Sequence, residues 1–110
     1  MQLRKCLPLG LLLLLPGLLE AGQICGSVSS SGARVNAAAI EIVCGQEVTR
    51  GATARDGSYR INVVAQGQCK LQLAGYKGIP SIVVFSYANP SQYDLNLIPH
   101  ADGTYELRKR

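Results

Sequence analysis

The stretch Arg55-Asp56-Gly57-Ser58-Tyr59-Arg60-Ile61-Asn62-Val63 decides the fold class. Asp-Gly suits a tight hairpin turn, because glycine accepts positive φ without steric cost. After it Tyr59, Ile61 and Val63 alternate with Ser58, Arg60 and Asn62. That period of two gives a strand one buried face and one wet face. The same pattern recurs near the end of the chain, where Tyr93, Leu95 and Leu97 alternate with Gln92, Asp94 and Asn96.

Outward from these two segments, apolar and β-branched residues come in short runs punctuated by Gly, Asn, Asp and Pro, and no segment after residue 22 keeps a helical apolar period. Short strands at regular spacing with turn signals between them indicate an all-β sandwich or barrel. Seven strands are predicted, over 24–28, 36–44, 48–54, 58–64, 68–74, 81–87 and 92–98. The run 81–87, Ser-Ile-Val-Val-Phe-Ser-Tyr, does not alternate cleanly. It fits a central strand packed on both sides better than an exposed apolar edge. Asn89-Pro90 breaks the chain before the seventh strand. Beyond it Asp102-Gly103 offers another turn, so residues 99–110 form a short hairpin or a frayed tail.

The first 22 residues are of another kind. Arg4 and Lys5 give a positive start, residues 7–19 are almost wholly apolar, and Leu19-Glu20-Ala21-Gly22 ends in small residues. This is the pattern of a signal peptide, cut after Ala21 or Gly22. A membrane anchor needs ~20 apolar residues, and this run is shorter and broken by Pro8, Gly10, Pro16 and Gly17. A lipid-anchored start at Cys25 is the alternative, but Gly22-Gln23-Ile24 lacks a small residue directly before that cysteine. The expected organisation is therefore a signal peptide over 1–22, one β domain over 23–98 and a C-terminal extension over 99–110. The expected location is secreted, periplasmic or otherwise extracellular.

The formal charge of +4 does not point to nucleic acid. Arg4 and Lys5 leave with the signal, and Arg108, Lys109 and Arg110 cluster at the C-terminus as a solvated end. Between them Arg34, Arg50, Arg55, Arg60, Lys70 and Lys77 balance Glu41, Glu47, Asp56, Asp94, Asp102 and Glu106. A phosphate-tracking surface has no support in that balance. No second hydrophobic span follows the signal, so no membrane span is expected in the mature chain.

Cys6 also leaves with the signal, which leaves Cys25, Cys44 and Cys69. Period-two counting puts Cys44 with Ile40 and Ile42, and Cys69 with Leu71 and Leu73. Both cysteines point where apolar neighbours point, which makes them a disulfide pair in an oxidising compartment or else two buried thiols. Cys25 is then left over, to exchange into that disulfide, stay buried, or bridge to another molecule.

Catalytic motifs are missing. There is no Gly-x-Ser-x-Gly elbow, phosphate loop, His-Glu-x-x-His or Cys-x-x-Cys, and His100 is the sole imidazole. No metal, cofactor or enzymatic activity is expected. Asp56 reads as a turn former rather than a general base. Tyr59 and Tyr93 fall on core faces, with their hydroxyls reaching partners. Tyr76, in Gly75-Tyr76-Lys77-Gly78, and Tyr87, just before a loop, are the candidate ligand contacts. Two exposed rings could stack on a sugar or grip a peptide; otherwise they are isolated loop tyrosines.

Gly26-x-Val28, Ala38-x-Ile40-x-Ile42, Thr53-x-x-Asp56-Gly57-x-Tyr59-x-Ile61 and Cys69-x-Leu71, in that order, resemble the carboxypeptidase regulatory-like domains over most of residues 24–98. The resemblance implies a seven-stranded Greek-key sandwich of transthyretin-like type. These are turn and packing residues, so the likeness is nearly silent on activity. A strand-and-turn chain with a secretion signal and no catalytic set is expected to be a non-catalytic structural or interaction module whose partner is a protein or a glycan.

Overall fold

The computed structural model of the chain describes residues 22–110. The expected signal segment and Cys6 lie outside the described residues, apart from Gly22. The described residues form nine strands and no helix: β1 (Gly22–Ser30), β2 (Ala33–Arg34), β3 (Ala39–Cys44), β4 (Glu47–Ala52), β5 (Ser58–Val63), β6 (Gly67–Leu73), β7 (Ser81–Ser86), β8 (Ser91–Pro99) and β9 (Tyr105–Lys109). Two strands exceed the seven expected. β2 is a two-residue extension that pairs with the end of β1, and β9 is the second arm of a C-terminal hairpin.

The strands make two sheets. In the first, β1 is central: β8 runs parallel to it on one side, β5 and then β2 pair antiparallel to it on the other, and β9 closes the β8 side. The second sheet has the order β4-β3-β6-β7, all antiparallel. Alternation decides what fills the space between them. Ile24 and Val28 of β1, Tyr59, Ile61 and Val63 of β5, and Leu95 and Leu97 of β8 meet Ile40 and Ile42 of β3, Leu71 and Leu73 of β6 and Val84 of β7 in one buried cluster. A fully buried Leu or Ile side chain contributes roughly 1.5–3 kcal/mol. This two-sided core is therefore the main source of stability.

Two expectations need correction. The Asp56-Gly57 turn does not join neighbours in one sheet, because β4 lies in the second sheet and β5 in the first. The local chemistry is nonetheless that of a tight turn. The Gly57 N–H donates to the Ala54 carbonyl, Gly57 has φ 83°, and Asp56 Oδ1 accepts both the Ser58 N–H (3.0 Å) and the Ser58 hydroxyl (2.6 Å). The turn reverses the chain, and side-chain burial then sends the two arms to different sheets. Second, residues 81–87 do not form a central strand: β7 is an edge of the second sheet. Of the two readings of residues 99–110, the hairpin is the one present. Asp102 repeats the Asp56 device by accepting from the Thr104 N–H (3.0 Å) and hydroxyl (2.7 Å), and the hairpin it turns lays Leu107 into the core.

The expected Cys44–Cys69 pairing is present, whereas the expectation of a leftover Cys25 is not met. Cys44 and Cys69 form a disulfide with Cα atoms 4.4 Å apart. They follow Val43 and precede Lys70, the last paired residues of β3 and β6, so the bond crosses adjacent antiparallel strands. Such a close Cα separation belongs to the narrow, non-hydrogen-bonded type of pair. None of the described cysteines, the buried Cys25 included, is a free thiol.

Candidate functional site

The outer faces of the two sheets differ in chemistry. On the first sheet, the outward positions around Asp94 are polar and bonded to one another. The Ser27 hydroxyl donates to Asp94 Oδ1 (3.1 Å), the Gln92 amide donates to Asp94 Oδ2 (3.0 Å), and Arg110 donates to the Ser27 oxygen. The Arg110 N–H also donates to the Asp94 carbonyl. The basic C-terminus, expected as a solvated end, is thus laced into the sheet.

The outer face of the second sheet carries two unlike rows. Register places Arg50, Glu41, Gln72 and Ser81 side by side across β4, β3, β6 and β7. Glu41 holds this row together, accepting from the Gln72 amide (2.9 Å) and from Arg50 (3.2 Å). The Gln72 hydrogen bond, aided by Arg50, keeps the Glu41 carboxyl below its usual range. Two residues along each strand, register aligns Val48, Val43, Lys70 and Val83. Val48 is 43% exposed and Val83 44%. Lys70 is the one charge in this row, and its methylene stem can lie along the apolar surface.

The apolar row continues down β7. Phe85 follows Val83 on the same face, and Tyr87 follows Phe85. The Phe85 and Tyr87 rings stack with centroids 6.1 Å apart and planes 8° apart, and Tyr87 is 54% exposed. Val48 and Val43 lie on one side of Lys70, and Val83, Phe85 and Tyr87 on the other, so this outer face carries exposed and half-buried apolar side chains to either side of a single charge.

The backbone edge of β7 is partly closed. The Phe85 N–H, which points away from β6, donates to the Tyr93 hydroxyl (2.9 Å). A peptide adding as a further strand would have to displace that bond. The open surface of β7 is thus its side-chain face rather than its backbone edge. Tyr93 and Tyr59 occupy the core positions read from their alternation: the Tyr59 hydroxyl donates to the Tyr93 carbonyl (2.7 Å), and burial pushes the Tyr59 phenol far above its ordinary range. Lys109 lies 5.1 Å from the Tyr93 ring centroid.

The two candidate ligand tyrosines do not come together. Tyr76 sits in the loop before β7 and Tyr87 directly after it. The intervening strand separates them by roughly 20 Å at 3.3 Å per residue. Tyr76 is half-buried against the core and meets Tyr105 edge-on at 5.1 Å. Tyr87 stays exposed and stacks on Phe85. Sequence reasoning missed Val48, Val43 and Val83. The signal was present in the broken alternation of 81–87, which places apolar residues on both faces of the strand.

His100 lies in the β8–β9 hairpin, 3.0 Å from Glu106, which also accepts from Arg108 (2.7 Å). Among the described residues no cluster of His, Cys, Asp and Glu is placed to hold a metal ion, and no helix is long and apolar enough to cross a membrane. A groove of about 260 Å³ at the β1–β2 turn is lined by Ser31, Gly32, Asn96, Leu97, Ile98 and Pro99 and holds no titratable side chain. No family model matches the chain, and no curated protein matches it.

Proposed function

We propose that the chain is an exported, non-catalytic interaction module that meets a protein partner through the outer face of the β4-β3-β6-β7 sheet. The observation that carries this reading is the set of exposed and half-buried apolar side chains Val48, Val43, Val83, Phe85 and Tyr87 around Lys70, set opposite a first sheet whose outer face around Asp94 is polar and self-bonded. Export is supported by the charged, apolar and small-residue order of residues 1–22 and by the Cys44–Cys69 disulfide, which persists in oxidising compartments. The Greek-key, transthyretin-like assignment is supported by the pairing of β5-β1-β8-β9 against β4-β3-β6-β7. A lipid anchor at Cys25 is disfavoured by packing: that cysteine would become the first residue, and the fully buried Ile24 would be lost from the core.

Replacing Val83 and Tyr87 together by lysine tests the contact face. The expected result is a folded, normally secreted variant that no longer associates with the partner recovered by the unaltered chain, while an Arg60→Glu, Asn62→Lys variant on the opposite face retains it. Equal loss in both variants refutes the assignment of the face. Turnover of a hydrolytic substrate by the purified domain, abolished by one side-chain change, refutes the non-catalytic reading.

A further inference from the structure

A strand at the margin of a sheet presents unpaired N–H and C=O groups, which folded domains generally cover or blunt. On three marginal strands a group already meets the edge. The Phe85 N–H of β7 donates to the Tyr93 hydroxyl (2.9 Å), the Tyr105 N–H of β9 donates to the Lys77 carbonyl (3.2 Å), and the Ser58 carbonyl of β5 accepts the Ala54 N–H (2.8 Å). β4 differs. The Thr53 N–H donates to the Ala38 carbonyl (3.0 Å), which fixes the phase of the β3–β4 ladder. Glu47, Thr49 and Gly51 therefore aim their backbone groups at β3, and Val48, Arg50 and Ala52 aim theirs outward. Among the described residues no group meets those outward N–H and C=O groups. The strand has no proline, and its six consecutive pairs with β3 leave no bulge. Its one cation, Arg50, is drawn back onto Glu41 (3.2 Å). The edge is also firmly seated, since a Cβ on Gly51 would meet the Ile61 side chain of the opposite sheet at 2.9 Å.

We infer that β4 pairs with β4 of a second copy of the chain, antiparallel about a dyad at Thr49. Outward groups must meet outward groups, so a shift of one residue forfeits the ladder. With the dyad at Thr49, Val48 lies opposite Arg50 of the second copy, and Arg50 opposite its Val48. Each such pair exchanges both of its main-chain hydrogen bonds. Thr49 faces its own counterpart, a favoured cross-strand match, and Glu47 faces Gly51. A dyad at Arg50 would instead oppose two guanidinium groups, and one at Val48 would leave Gly51 and Ala52 beyond the pairing. The strand is thus complementary to itself in one register, which singles out a second copy as its occupant. That register also lays the Arg50 stem of one copy along Val48 of the other, which is 43% exposed in the single chain. The dyad stands perpendicular to the sheet, so β7-β6-β3-β4 continues into the same four strands of the second copy with both outer faces on one side. The pairing is separate from the proposed contact face, and it presents two such faces together, which makes the module bivalent.

The test is analytical ultracentrifugation of the protein produced from the full chain in a secreting host, at concentrations up to millimolar. The expected result is a reversible monomer–dimer equilibrium. Val48→Pro removes an outward N–H and leaves the β3 ladder intact, because that N–H does not point at β3. It halves the hydrogen bonds between copies, so dimer dissociation should strengthen about tenfold or more, with thermal unfolding measured alongside to show that the variant is folded. Thr49→Cys is the second probe. Opposed residues of a non-hydrogen-bonded pair have Cα atoms about 4.5 Å apart, so this variant should form a covalent dimer on oxidation whereas Glu47→Cys should not. The Val83→Lys, Tyr87→Lys variant should dimerise as the unaltered chain does. A protein that stays monomeric throughout overturns the inference and leaves the contact face standing. A dimer that is lost in the Val83→Lys, Tyr87→Lys variant overturns it too, because the copies would then meet through their outer faces. So does a dimer that is as tight in folded Val48→Pro, or one that Thr49→Cys does not crosslink.

Discussion

Removing the Cys44–Cys69 disulfide is the perturbation whose magnitude follows most directly from the structure. The two residues are 25 apart in sequence. In the chain-entropy account, closing a loop of that size stabilises the folded state by about 3.5 kcal/mol at 25 °C through restriction of the unfolded chain. Both cysteines belong to the buried cluster, so replacement by alanine adds a small packing loss of the same sign. A domain of this size unfolds with an entropy of about 2.1 cal/mol/K per residue, so 3.5 kcal/mol corresponds to a fall in Tm of roughly 15–25 °C. The assay is calorimetric melting of the Cys44→Ala, Cys69→Ala double variant, and of the native protein with and without reductant. The register of β3 and β6 is fixed by four other residue pairs, so strand content should survive at low temperature. A fall of less than about 5 °C would refute the reasoning, since it would mean that the crosslink restrains little of the unfolded chain.

Other perturbations probe separate parts of the account. Gly26 has φ 154°, and a Cβ there would overlap the Tyr93 carbonyl across the parallel β1–β8 pair, so Gly26→Ala should cost about 3 kcal/mol or more in urea unfolding; a change under about 1 kcal/mol contradicts that packing. Tyr59→Phe removes the hydroxyl that donates to the Tyr93 carbonyl and should cost about 1 kcal/mol, measured by the same titration, with a neutral result counting against that bond. Four carboxyls titrate below their ordinary range: Asp56 and Asp102 through the hydroxyls of Ser58 and Thr104, Glu41 through Gln72, and Glu106 through Arg108. A depressed folded-state value gives stability that is complete above the unfolded carboxylate range and is lost as pH falls through the folded one. Tm should therefore be level above about pH 5 and decline toward pH 3, less steeply in an Asp56→Asn, Asp102→Asn variant; a Tm that rises on acidification reverses the sign and sinks the argument.

What could be read in advance was whatever depends on neighbours along the chain. Tyr59, Ile61 and Val63, and likewise Leu95 and Leu97, are buried as alternation required. Cys44 and Cys69 joined because each shared a face with apolar residues two and four positions away. Sheet membership was less legible, because it depends on partners far along the chain. The Asp56-Gly57 turn has the same local hydrogen bonds whether its arms pair or part, and only the burial of Ile61 against the opposite sheet sends β5 away from β4. For β7, a run of apolar residues suits a strand buried on both faces or an edge with an exposed margin, and local composition cannot separate the two. Tyr76 and Tyr87 looked equivalent because both sit beside turns. Contact with Tyr105, which is 29 residues beyond Tyr76, holds Tyr76 half-buried against the core and leaves Tyr87 outside. The apolar set around Lys70 emerged only when register set Val48 and Val43 beside the Lys70–Val83 pair.

The claim that this face is the working surface is tested most directly by site-specific photocrosslinking of the secreted protein in its own extracellular environment. A photoreactive residue is placed at Val83 in one protein and at Arg60, on the opposite sheet, in another. The account predicts one discrete protein adduct from position 83, absent from position 60 and suppressed by Tyr87→Lys. Adducts of equal yield from both positions, or from position 60 alone, would contradict it.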